Sequence, residues 1–131
     1  MLHDFVEQFQ KEMELKQPLG SKETGLYSFM LGETEIQIVN EAPKGFRLFA
    51  TLGSLPSENQ EEMMTHMLRA NLFGQATFKA FLGLNEKGTS ATLQRICEQT
   101  KNYPEFKLSI EEFINAVDFW TKEIKNFPSH T

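Results

Sequence analysis

The stretch MMTHMLRANLFGQATFKAFLGLNEKG, Met63 to Gly88, changes its apolar period part-way along, which commits this chain to a helix followed closely by a strand. Met63, Met64, Met67, Leu68, Leu72 and Phe73 recur at helical spacing, and Gly74 offers the left-handed residue that commonly closes a helix. From Thr77 to Leu84 the period becomes two. Phe78, Ala80, Leu82 and Leu84 fall on one face of the expected strand, Thr77, Lys79 and Phe81 on the other. Asn85 to Gly88 reads as a hairpin loop into a further strand, Ala91 to Cys97, where Arg95 shares the row of Leu93 and Cys97 and is expected near solvent.

The flanks use the same two periods. Leu2, Phe5, Val6, Phe9 and Met13 form one stripe of a first helix that ends before Pro18. Tyr27, Phe29 and Leu31 alternate with Leu26, Ser28 and Met30, apolar on both sides, which predicts a strand covered on two faces. Across Gly32-Glu33, Thr34 to Val39 has Ile36 and Ile38 facing one way and Glu35 and Gln37 the other. A third strand, Phe46 to Leu52, sets Phe46, Leu48, Ala50 and Leu52 against Arg47, Phe49 and Thr51, so Phe49 is an apolar side chain on the outward row.

Ser57 and Gln60 predict a capping box opening the second helix, with Glu58, Glu61 and Glu62 at the positive end of its dipole. Glu98 to Lys107 reads as a polar linker, and Ser109 with Glu112 as a second capping box. Ile110, Phe113, Ile114, Val117, Trp120 and Ile124 then form the buried stripe of a last helix, before a frayed tail from Pro128 to Thr131. The expected fold is α+β, in the order helix-strand-strand-strand-helix-strand-strand-helix, an antiparallel sheet packed by helices in one domain over residues 1–131.

Composition narrows the function. Thirteen Lys and Arg against 18 Asp and Glu leave a net charge of −5, which repels a phosphate backbone or an anionic membrane. The single cysteine, Cys97, rules out an internal disulfide and a multi-thiolate zinc site, and is expected as a small buried hydrophobe in a reducing cytoplasm. The N-terminal residues have neither the basic start nor the apolar run of a signal peptide, and no segment has the apolar length for membrane insertion. Twelve Phe and six Met either fill a small core or, being many for one sheet and three helices, leave some to form a binding surface.

Chemistry finds few carriers. His3, His66 and His130 have no metal-ligand spacing, and the pairs Glu61-Glu62 and Glu111-Glu112 fit helix first turns better than a catalytic site. Glycine-rich phosphate-binding motifs are absent, so the chain is expected to be no enzyme and to need no cofactor or metal.

With this order of elements, Leu68-Arg69-Ala70-Asn71-Leu72-Phe73-Gly74-Gln75-Ala76-Thr77 followed by Leu82-Gly83-Leu84-Asn85-Glu86-Lys87-Gly88 resembles the type III secretion chaperones of the Tir-chaperone (CesT-like) family. The resemblance implies a cytoplasmic bacterial protein that binds the N-terminal region of a secreted effector or regulator, holds it partly unfolded and delivers it to the secretion apparatus. It implies a dimer seam on the second helix and the following strand, at Met64, Met67, Leu68, Leu72 and Phe81, and client-binding positions at Phe5, Met30 and Phe49. Family members commonly carry small residues after the motif threonine, where this chain has Phe78 and Lys79, so a heterodimer with a second chaperone of the family stands beside the homodimer. A dual role, modulating transcription by contact with RNA polymerase or a transcription regulator, is the alternative function.

Overall fold

The computed structural model describes residues 1–74 and 77–127. Helix α1 (Leu2–Glu12) is followed by strands β1 (Gly20–Ser21), β2 (Leu26–Leu31), β3 (Thr34–Asn40) and β4 (Phe46–Ser54), helix α2 (Gln60–Phe73), strands β5 (Phe81–Leu84) and β6 (Ser90–Cys97), and helix α3 (Tyr103–Asn126). The strands form one antiparallel sheet in the order β1-β2-β3-β4-β6-β5. The expected α+β order holds, with the two-residue β1 added at one edge.

The alternation read from sequence decides which face is covered. In-register rows Tyr27-Ile38-Leu48-Arg95 and Phe29-Ile36-Ala50-Leu93-Leu82 lie on the helix-covered face. There Phe9 of α1 meets Phe29, and Phe106 of α3 meets Phe46, Phe5 and Phe9, with ring centroids 5.4–6.4 Å apart. Such aromatic contacts add to the area buried. The opposite face carries the rows Leu26-Val39-Arg47-Ile96 and Ser28-Gln37-Phe49-Gln94-Phe81, and several of its apolar side chains are exposed.

Five sequence expectations change. Strand β2 is not covered on both faces: Leu26 and Met30 are exposed, because the helices pack on one side only. Residues 77–79 form a turn rather than the start of a strand, since Phe78 and Lys79 have φ of 52° and 68° and the Ala80 N–H donates to the Thr77 carbonyl at 3.0 Å. Thr77 is therefore buried while Phe78 is outside. Helix α2 has no Ser57 cap: Asn59 precedes it in the left-handed region, and Gln60 Nε2 donates to the Pro56 carbonyl.

Helix α3 starts at Tyr103, inside the expected linker, with Asn102 Oδ1 accepting from the Glu105 N–H and Pro104 in the first turn. Ser109 is consequently mid-helix and buried, and so Glu111-Glu112 lie mid-helix too. Arg95 is buried instead of ending near solvent, because Glu112 and Ser109 receive its guanidinium. The expected tail from Pro128 to Thr131, with His130, and the motif residues Gln75 and Ala76 lie outside the described residues.

Candidate partner and client surfaces

Helix α2 is apolar on two sides. Met63, Met67 and Ala70, spaced four and three apart, are buried in the core, while Met64, Leu68 and Leu72, spaced four apart, form a second stripe that is exposed. Leu72 and Phe73 are each 70% exposed and Leu68 is 59% exposed. A helix that serves only its own core keeps one stripe apolar and the other polar. Of the expected seam residues, Met64, Leu68, Leu72 and Phe81 are at the surface, whereas Met67 turns inward, because its place in the i, i+4 series belongs to Met63.

Asn71 fastens α2 to the outer edge of the sheet. Its Nδ2 donates to the Leu82 carbonyl at 2.9 Å, and its Oδ1 accepts the Leu82 N–H at 2.7 Å. One side-chain amide thus occupies the outward-facing N–H and C=O of Leu82 in the edge strand β5, groups that otherwise offer a template for strand pairing. The exposed α2 stripe and Phe81 flank that clasp in sequence, Leu72 following Asn71 and Phe81 preceding Leu82, and both are exposed. Phe73, Asn71 and Arg95 are not among the expected seam residues, and Phe78 enters the expectation only as a departure from the family's small residues. A charged residue in the apolar row Leu93-Arg95-Cys97 is the signal that marks Arg95 as a buried, partnered cation.

The expected client residues sit elsewhere, in two places. Phe5 lines a cleft of about 270 Å³ together with Leu2, Pro43, Phe46 and Thr100, between α1, the β3–β4 turn and the β6–α3 connection. Met30 and Phe49 belong to the helix-free sheet face, Met30 60% exposed and Phe49 half-buried in the row that continues through Gln94 to Phe81. Ser28, two residues before Met30, donates its N–H to the Leu19 carbonyl, so Met30 faces the same open side beyond the end of β1. Backbone at such an edge can accept an added strand.

The remaining titratable groups build structure. Glu12 accepts from Lys107 Nζ at 2.9 Å and from the Tyr103 hydroxyl at 3.0 Å, tying the end of α1 to α3. Hydrogen bonds from Lys107 and then Tyr103 hold the Glu12 carboxyl below its usual value, and burial followed by the Glu12 hydrogen bond pushes Tyr103 up to about 12. Cys97 is buried, and that burial pushes its thiol up, away from nucleophile chemistry. His66 packs against Trp120 with ring centroids 5.1 Å apart and has Glu123 at 3.7 Å. Among the described residues no three His, Cys, Asp or Glu side chains are grouped to hold a metal ion, and no helix is long and apolar enough to cross a membrane.

The sequence model of the Tir chaperone protein (CesT) family matches residues 4–121. The chain belongs to the CesT family. Several solved structures share this fold. A chain of the ExsC–ExsE complex matches with a TM-score of 0.75 at 14% identity, covering 94% of this chain and 92% of that one. A chain from the Yersinia pestis type III secretion chaperone SycH in complex with a stable fragment of YscM2 matches at 0.68 and 15%, covering 91% and 98%. A chain of the heterodimeric ExoU–SpcU complex from the type III secretion system of Pseudomonas aeruginosa matches at 0.69 and 13%, covering 95% and 98%. No curated protein sequence matches significantly. Within this CesT-family fold, the departure at Phe78-Lys79 falls on the α2–β5 connection, beside the exposed stripe.

Proposed function

We propose that this CesT-family chain is a cytoplasmic type III secretion chaperone that works as a dimer through α2 and β5, with residues 1–131 as one folding unit. It binds the N-terminal region of a secreted effector or regulator, keeps it partly unfolded and soluble, and delivers it to the secretion apparatus. It acts by binding and carries out no chemistry of its own. The observation that carries the reading is the second apolar stripe of α2, Met64-Leu68-Leu72, left exposed beside Phe81 after the first stripe has filled the core.

A second copy of the chain suits that stripe. Antiparallel packing of two α2 helices opposes their dipoles and sets the acidic first turn, Glu61 and Glu62, toward the end of the partner's helix where Arg69 lies. The client's place is the helix-free sheet face at Met30 and Phe49 and the cleft at Phe5, where an extended peptide gains backbone hydrogen bonds at the β2 edge and apolar pockets along the way. The transcription alternative finds no support in the matched structures.

Light scattering tests the seam. The wild-type chain should run near twice 15.1 kDa, and Leu72→Asp, at a position 70% exposed, should run as a folded monomer of 15.1 kDa. A wild-type monomer that becomes dimeric only with a second chaperone of the family would replace the homodimer by a heterodimer. A Leu72→Asp chain that still dimerises would overturn the seam.

A further inference from the structure

The connection from α2 to β5 contains two consecutive left-handed residues, and neither is glycine: Phe78 has φ of 52° and Lys79 of 68°. A bulky side chain in that region is strained, whereas glycine adopts the same backbone freely. The turn is held from within. Thr77 is buried and accepts from the Ala80 N–H, and Arg95 Nη1 reaches from β6 to donate to the Phe78 carbonyl at 3.1 Å. Arg95 is itself fixed, with Nη1 donating to Glu112 at 2.9 Å, Nη2 to the Ser109 hydroxyl at 3.3 Å, and only 7% of its surface exposed.

This arrangement has an outward result. The Phe78 ring, 40% exposed, stands on the link between the exposed Leu72-Phe73 end of α2 and Phe81 of β5. Glycine would make the turn more cheaply, so the ring is not there for the backbone. Strain kept in place by a buried guanidinium and its half-buried carboxylate partner points to a use for the strained residue.

We propose that Phe78 is a partner-specifying residue of the α2–β5 seam, inserting its ring against the second copy, and that Arg95 is the positioning residue that holds it there. This rests on the seam reading above. Phe78 supplies apolar contact, and Arg95 acts through the Phe78 carbonyl without touching the partner.

Sedimentation equilibrium of four variants separates the possibilities. Phe78→Gly and Lys79→Gly relieve one strained residue each, and only the first removes the ring. Phe78→Gly should weaken the dimer at least about tenfold with no fall in the melting temperature of the monomer, while Lys79→Gly should leave association unchanged. Arg95→Met should weaken association by a similar factor, and Arg95→Met with Lys79→Gly should recover most of it, because glycine removes part of the strain that Arg95 opposes. A double variant as weak as Arg95→Met makes Arg95 a core brace only and overturns its positioning role. A dimer that Leu72→Asp splits but Phe78→Gly leaves intact overturns the specificity of Phe78 alone. A chain monomeric in every form overturns the seam and this proposal with it.

Discussion

Individual side chains show how narrowly local pattern constrains a position. By sequence Phe106 falls in a polar linker, since Glu105 and Lys107 flank it and Pro104 stands two residues before it. In the fold it is fully buried, with rings of Phe5, Phe9, Phe46 and Tyr103 around it. Proline in the first turn of a helix starts it rather than stopping it, and Asn102 was the cap signal. Phe106→Ala should therefore cost about 3–5 kcal/mol in urea unfolding, the range for deleting a buried ring. A cost below about 1 kcal/mol would mean that α1 and α3 close over the gap. Arg95 teaches the converse: a charge in an apolar row is buried when acceptors wait for it, here Glu112, Ser109 and the Phe78 carbonyl.

Elements are coupled by a few polar clasps, and these were not legible because each joins residues distant in sequence. Glu12 with Lys107 and Tyr103 fastens α1, the helix beside the Phe5 cleft, to α3. Its pH response follows from the shifts. Glu12 is lowered, so its contribution is complete above the ordinary 4.5 and is lost as the pH falls through the folded value beneath it. Lys107 is raised by the same bond, so its share is complete below the ordinary 10.5 and is lost as the pH climbs past the raised folded value. Tyr103 favours the folded state fully below 10.0 and loses that as the pH rises to about 12. Protection factors of the α1 amides, taken against the intrinsic exchange rate at each pH, should fall at both ends of the range, and Glu12→Gln should remove most of the acid limb. An α1 whose protection is flat below pH 4.5 would show that the clasp does not hold it. Asn71 of α2, bonded to both backbone groups of Leu82 in β5, is the matching clasp for α2.

At the scale of the whole molecule the two proposed surfaces are separable, since the α2 stripe lies beyond the β5 edge and Met30 near the other edge of the sheet. Met30→Asp should abolish co-purification with the N-terminal segment of a secreted substrate while the light-scattering mass stays that of wild type. Capture that survives this substitution and Phe49→Asp together would remove the client from the sheet face. The sequence by itself determined the order of the helices and longer strands, the buried rows of β3 and β4, the inward stripe of α3, the inward stripe of α1 as far as Phe9 (Met13 lies past the helix end and is exposed) and the left-handed close of α2 at Gly74, because periods of two and 3.6 are local properties of the chain. It also carried the family resemblance that the match over residues 4–121 bears out. Only the tertiary structure decided which of the two apolar stripes of α2 is covered, that Met67 turns inward, that Phe78 stands outside and that Arg95 is buried. Periodicity assigns side chains to faces, and what lies across from a face depends on contacts between residues far apart in the chain.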